Sequence, residues 1–171
     1  MTADKESARA REEKERQARA KPMMYRNILV PIDGTDFSIR AVEHAVKLAR
    51  AVGARVTFLT VTEPFYLRPA PGRAKAELEL RAADLADRIL ETAAEQARAA
   101  GVPFETAHFV GDRPAEAIAR AAEEHGCDLI VMASHGRRCL AALVSGSETL
   151  RVLQQSGTPL LVLRPRKEKA A

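Results

Sequence analysis

Two short stretches place glycine, hydroxyl and charged side chains where they could contact a ligand, the first through a carboxylate and the second as a seat for an anion. The first, VPIDGTDFS (residues 30–38), ends an apolar run at Asp33 and turns at Gly34. Thr35 or Asp36 then stands where a helix cap would accept a backbone N–H. A carboxylate closing an apolar strand demands a partner, because burial without one is costly. A ligand N–H or hydroxyl would supply it, so Asp33 is read as a ligand contact and Thr35 and Asp36 as caps. The second stretch, ASHGRRCLAALVSGSETLRVL (residues 133–153), is a loop framed by Gly136 and Gly146, with Arg137 and Arg138 inside it. Gly146-Ser147 opens a helix. A helix N-terminus offers unpaired N–H groups and a positive dipole end, which together seat a phosphate. Glycine lets the backbone approach closely, and Ser147 serves as a cap or as a donor to an oxygen. Glu148 opposes this reading, since its carboxylate in the first turn already answers the dipole.

The remaining reactive side chains point to no second chemistry. His44 and His125 fall on helices or their ends and are expected to face solvent. His108 lies in a strand beside Phe109. His135 sits in the glycine loop, within reach of a phosphate or of a backbone carbonyl. No His pairs with a His or Cys at metal-ligand spacing, so no metal site is expected. Cys127 and Cys139 fit neither a zinc nor a CxxC pattern, and two lone thiols suit a reducing cytosol. The arginines before Cys139 would lower its pKa, but no base accompanies it for catalysis.

Charge and composition narrow the partners. Aromatic residues are 4% of the chain and Trp is absent, which argues against a stacking platform for single-stranded nucleic acid. The net charge is +4, of which the first 22 residues contribute +2 and the last eight +3, leaving −1 for the body between. A nucleic-acid-binding domain carries its basic face on the domain itself, so nucleic acid fits poorly. No apolar run approaches a membrane span, and no apolar segment marks a secretory signal. The chain is therefore expected to be cytoplasmic.

These residues need a frame, and the alternation of patterns supplies one. Short apolar runs occupy residues 27–33 (NILVPID), 55–61 (RVTFLTV), 103–110, 128–133 (DLIVMA) and 159–163 (PLLVL). Between them lie helical periods over 36–52, 74–100, 114–125 and 146–156. Gly53, Gly101 and Gly126 stop the first three, and Pro114 suits a first turn. Leu78, Leu85, Ile89, Ala93 and Ala97 are expected to share the inner face of the long second helix. Ala117, Ile118 and Ala121 do the same on the third. Residues 63–72 hold Pro64, Pro69 and Pro71 and read as a loop.

Five strands joined by helices imply a doubly wound α/β fold, a parallel sheet with helices on both faces and strand order 3-2-1-4-5. Ligands bind such sheets at the carboxyl ends of the strands where the order reverses, which is after the first and fourth. Residues 1–23 are a charged, solvated N-terminal tail, 24–165 the domain and 166–171 a basic C-terminal tail. A receiver-type phosphoacceptor domain would share the topology. It would want an Asp at the end of the third strand, where His108-Phe109-Val110-Gly111 stands. A flavodoxin-like carrier would want flanking aromatics.

From about Tyr25 to Arg164 the chain resembles the universal stress protein family. The resemblance is carried by YRNILVPIDGTDFSIRAVEHA, VGDRPAEAIARAAEEHGCDLIVMASHGR and LVSGSETLRVLQQSGTPLLVLR. The family's ATP-binding pattern is Gly, two residues, Gly, nine residues, then Gly with Ser or Thr. Gly136 and Gly146-Ser147 match it, while Ala133 replaces the first Gly. The resemblance implies an ATP-binding regulatory protein of the stress response, with Mg2+ as a possible companion ion. Pro31, Asp33 and Val61 would lie about the adenine and Ala133 near the ribose. His135, Gly136, Arg137, Gly146 and Ser147 would serve the phosphates. It also implies a homodimer through the fifth strand, from Pro159 to Leu163. No general base stands out, so slow ATP hydrolysis is the most catalysis the pattern allows. The alternative is a family member that binds no nucleotide and acts only through protein contacts. The Ala133 methyl, which resists positive φ, and Glu148 would then close the pocket.

Overall fold

The computed structural model describes residues 24–64, 72–133 and 148–164. The predicted tails lie outside the described residues, as does the loop at 134–147. The elements run β1 (Asn27–Pro31), α1 (Asp36–Val52), β2 (Arg55–Thr62), α2 (Gly72–Ala100), β3 (Phe104–Val110), α3 (Pro114–Glu124), β4 (Leu129–Ala133), α4 (Glu148–Gln155) and β5 (Leu160–Leu163). All strand pairings are parallel. The sheet order is β3-β2-β1-β4-β5, so the order reverses between β1 and β4 as expected.

Strand side chains alternate between two cores. Ile28, Val30, Val56, Phe58, Leu129 and Val131 pack against α1 and α2. Leu29, Leu59, Ile130 and Met132 pack against α3 and α4. Because β1 and β4 are covered on both sides, they read as unbroken apolar runs rather than as alternating ones.

Three expectations are corrected. The first strand stops at Pro31, so Asp33 lies beyond it in the turn and is exposed. The backbone leaves the ladder there, because the Asp33 amide turns to Ser38 Oγ at 3.4 Å. On α2 the inner face is Ala86, Leu90, Ala93, Ala94 and Ala97, while Leu85 is 58% exposed. Ala93 and Ala97 are buried as expected and Ile89 packs partly against the core, but toward the amino end of the helix Ala86 and Leu90 take the inner positions expected of Leu85 and Ile89. On α3, Ile118 and Ala121 are buried as expected, but Ala117 is only half-buried and Ala115 and Ala122 replace it inside.

The amino ends of the strands are closed by polar contacts within the chain. The Asp128 carboxylate accepts from the Arg26 amide at 2.8 Å and from the Asn27 amide at 3.2 Å. Asn27 is itself buried. It donates from Nδ2 to the His125 carbonyl at 2.9 Å and accepts from Thr57 Oγ1 at 3.0 Å. Nearby, Arg55 pairs with Glu105 and holds that carboxyl below its usual range.

Candidate functional site

At the opposite end of the sheet, where the strand order reverses, the chain leaves a cavity of about 460 Å³. Its floor is apolar, built by Pro31 and Ile32 after β1, Leu59 and Val61 on β2, and Met132 and Ala133 on β4. Ile118 and Pro114 of α3 close one side, and Phe37 stands at the start of α1. The polar lining is Asp33, Thr35, Ser38, Glu148 and Thr149. A few convergent polar groups over an apolar floor of this size are what a small-molecule pocket presents.

The turn after β1 is held by its own side chains. Thr35 is the N-cap of α1, and its hydroxyl oxygen accepts from the Ser38 amide. The Thr35 amide donates to Asp33 Oδ1 at 3.0 Å and the Thr35 hydroxyl donates to the same oxygen at 2.6 Å. Of the two proposed caps, Thr35 fills the role. Asp33 is thus oriented at the cavity rim by a local turn, not stranded at a buried strand end. Gly34 has φ +78°. A methyl group there would also meet Ile89 of α2 at 3.1 Å, so the turn takes glycine for both reasons.

Of the residues expected at a site, Pro31, Asp33, Val61 and Ala133 line this one cavity. His135, Gly136, Arg137, Gly146 and Ser147 lie outside the described residues, together with Cys139. Ala133 ends β4 in ordinary extended backbone, paired with Leu163, and no described non-glycine residue has positive φ. The objection that alanine must adopt a glycine conformation at this point therefore falls.

Glu148 has a contact that sequence reasoning missed. Its Oε1 accepts from the Ala115 amide at 2.7 Å, in the first turn of α3. Its Oε2 lies 3.5 Å from Arg151 Nη1. Glu148 therefore caps a helix other than its own. Local pattern could not disclose this, because the two residues are 33 positions apart and meet only where α4 packs beside α3.

The other singled-out side chains lie away from the cavity lining. His44 is exposed. His108 Nε2 bonds Thr62 Oγ1 at 2.8 Å, and His125 Nδ1 lies 3.5 Å from Glu105. Cys127 is buried at the amino end of β4, and burial pushes its thiol up to about 11. Among the described residues, no three His, Cys, Asp or Glu side chains gather as a metal site. None of the described helices is long and apolar enough to cross a membrane.

A family model described as the universal stress protein family matches residues 24–164. The chain belongs to this family. It is 33% identical over 148 residues to universal stress protein MJ0531 of Methanocaldococcus jannaschii, covering 85% of this chain and 86% of that one. Its fold is similar to that of a universal stress protein crystallised in complex with cAMP. That match has TM-score 0.64 and 29% identity, over 82% of this chain and 97% of the other. It is also similar to a universal stress protein of Archaeoglobus fulgidus in complex with dAMP, with TM-score 0.58 and 25% identity over 82% and 98%. In this stress-protein domain the cavity therefore sits where a doubly wound sheet takes its ligand.

Proposed function

We propose that this universal stress protein is a cytoplasmic regulatory protein that binds an adenine nucleotide of the ATP type. The observation that carries the reading is the open, mostly apolar cavity at the sheet's reversal point, lined by Pro31, Asp33, Val61 and Ala133. Relatives with the same fold were crystallised with cAMP and dAMP, which supports an adenine nucleotide as the ligand class. Adenine would lie over Val61 and Pro31, with Asp33 accepting from an N–H or hydroxyl and Ala133 beside the ribose. His135, Gly136, Arg137, Gly146 and Ser147 would receive the phosphates. The Glu148 carboxylate and the Thr149 hydroxyl are hard oxygen donors of the kind Mg2+ takes, and a Mg2+ ion would enter with the phosphates.

The protein would act as a homodimer through β5. That strand is at the sheet edge and exposes Leu161 and Val162, and an unpaired apolar edge invites pairing. The competing reading, a family member without a nucleotide, draws on Glu148, whose charge stands on the cavity wall. A thermal melt separates the two. Protein freed of carried-over nucleotide should gain stability with millimolar Mg-ATP, about 3 kcal/mol at a hundredfold excess over Kd. Gly146→Asp should abolish the gain and leave the fold intact. No gain in the wild type overturns the nucleotide reading.

A further inference from the structure

We infer that Glu148 is a specificity-determining residue that weights the cavity against uncompensated phosphate charge. The inference rests on the adenine-nucleotide reading and sharpens it.

Two observations carry it. First, the Glu148 carboxylate is held in place. Oε1 accepts from the Ala115 amide at 2.7 Å, and Arg151 Nη1 lies 3.5 Å from Oε2. The positive end of α3, which would otherwise draw a ligand phosphate, is thus already answered by the chain's own anion. Second, that carboxylate is on the cavity wall and its side chain keeps 36% of its exposure, so it still acts on what enters. Among the described lining residues the charged groups are Asp33 and Glu148, both carboxylates. Arg151 is more exposed than Glu148 and offsets the charge only in part.

A carboxylate bonded at one oxygen keeps free lone pairs. It can accept from a hydroxyl or an amine, or it can meet a cation. It cannot accept from a phosphate oxygen, and in a cavity of low polarity it repels one. The ligands it favours are a nucleoside, a nucleoside monophosphate or a metal-neutralised triphosphate, ahead of a metal-free triphosphate.

The test is calorimetric titration of the full, nucleotide-freed chain with adenosine, AMP, ADP and ATP, each with and without Mg2+. In the wild type, affinity should fall from AMP to metal-free ATP and recover with Mg2+. Glu148→Gln keeps an acceptor for the Ala115 amide and removes only the charge. It should raise metal-free ATP affinity relative to adenosine by on the order of tenfold, with adenosine itself unchanged within about twofold. Arg151→Ala removes the partial offset and should move the same ratio the other way, by about threefold. It also serves if the first variant fails to fold. An ATP-to-adenosine ratio that neither variant moves, or a uniform change across all four ligands, would overturn the inference while leaving the nucleotide reading intact. A wild type that binds none of the four would overturn the reading and the inference together.

Discussion

The two ends of the sheet are built from similar residues and finished in opposite ways. At the amino ends, Asp128, Asn27, Thr57, the His125 carbonyl and the Arg26 amide are joined by hydrogen bonds within the chain. At the carboxyl ends, Asp33, Thr35, Glu148 and Thr149 stand around a cavity of about 460 Å³. Buried polar groups add to stability only when satisfied, and a chain that satisfies them internally leaves nothing for a ligand to complete. Polar side chains at the amino end therefore hold the fold, whereas Asp33, Thr35 and Glu148 at the carboxyl end each have a partner within the chain and also border the cavity proposed for the nucleotide. The contrast assigns opposite consequences to substitutions of similar chemistry.

The largest effect is expected from Asp128→Ala. It strips the acceptor from two amides, one of them on buried Asn27, and should cost about 3 kcal/mol in denaturant unfolding. Nucleotide affinity should stay within about twofold. A loss of binding without a loss of stability would break the division of labour.

Cys127 gives the next effect, through pH. Its thiol is raised in the folded state, chiefly by burial, to about 11. The protonated form is thus the one the fold favours. Its contribution is complete below the unfolded value near 9 and is lost as pH climbs toward 11. Over that window stability should fall by about 2–3 kcal/mol relative to Cys127→Ala. The same burial should make Cys127 slow toward alkylating reagents at neutral pH.

Smaller changes belong to the open end. Thr35→Ala removes the α1 cap and should cost about 1 kcal/mol in unfolding. Asp33→Asn keeps an acceptor for the Thr35 hydroxyl and should shift stability by less than about 0.5 kcal/mol. It should nonetheless weaken nucleotide binding by on the order of tenfold. A variant that unfolds the chain instead would place Asp33 with the structural residues.

The fold was legible because its signals are local and agree with one another. Apolar runs, helical periods and stopping glycines such as Gly53, at φ +81°, mark each element, and strand spacing forces parallel crossovers. Of the rim residues, Asp33 followed from its place after the first strand, whereas Pro31, Val61 and Ala133 came only from the resemblance to the family. What escaped was set by packing. Leu85 fits a helical stripe as well as Leu90 does, and only docking on the sheet decides which is buried. Asp33 appeared buried because the apolar run continues through Ile32, whereas the turn fixed by Thr35 lifts it into solvent. The grip of Glu148 on α3 depends on two helices brought side by side, which no spacing announces.

Amide chemical shifts of labelled protein, followed while Mg-ATP is added, test the division between the two ends most directly. The account predicts saturable shifts at Asp33, Val61, Ala133, Glu148 and Thr149, with Asn27, Thr57 and Asp128 unmoved. Shifts confined to the amino ends of the strands, or none at saturating nucleotide, would contradict it.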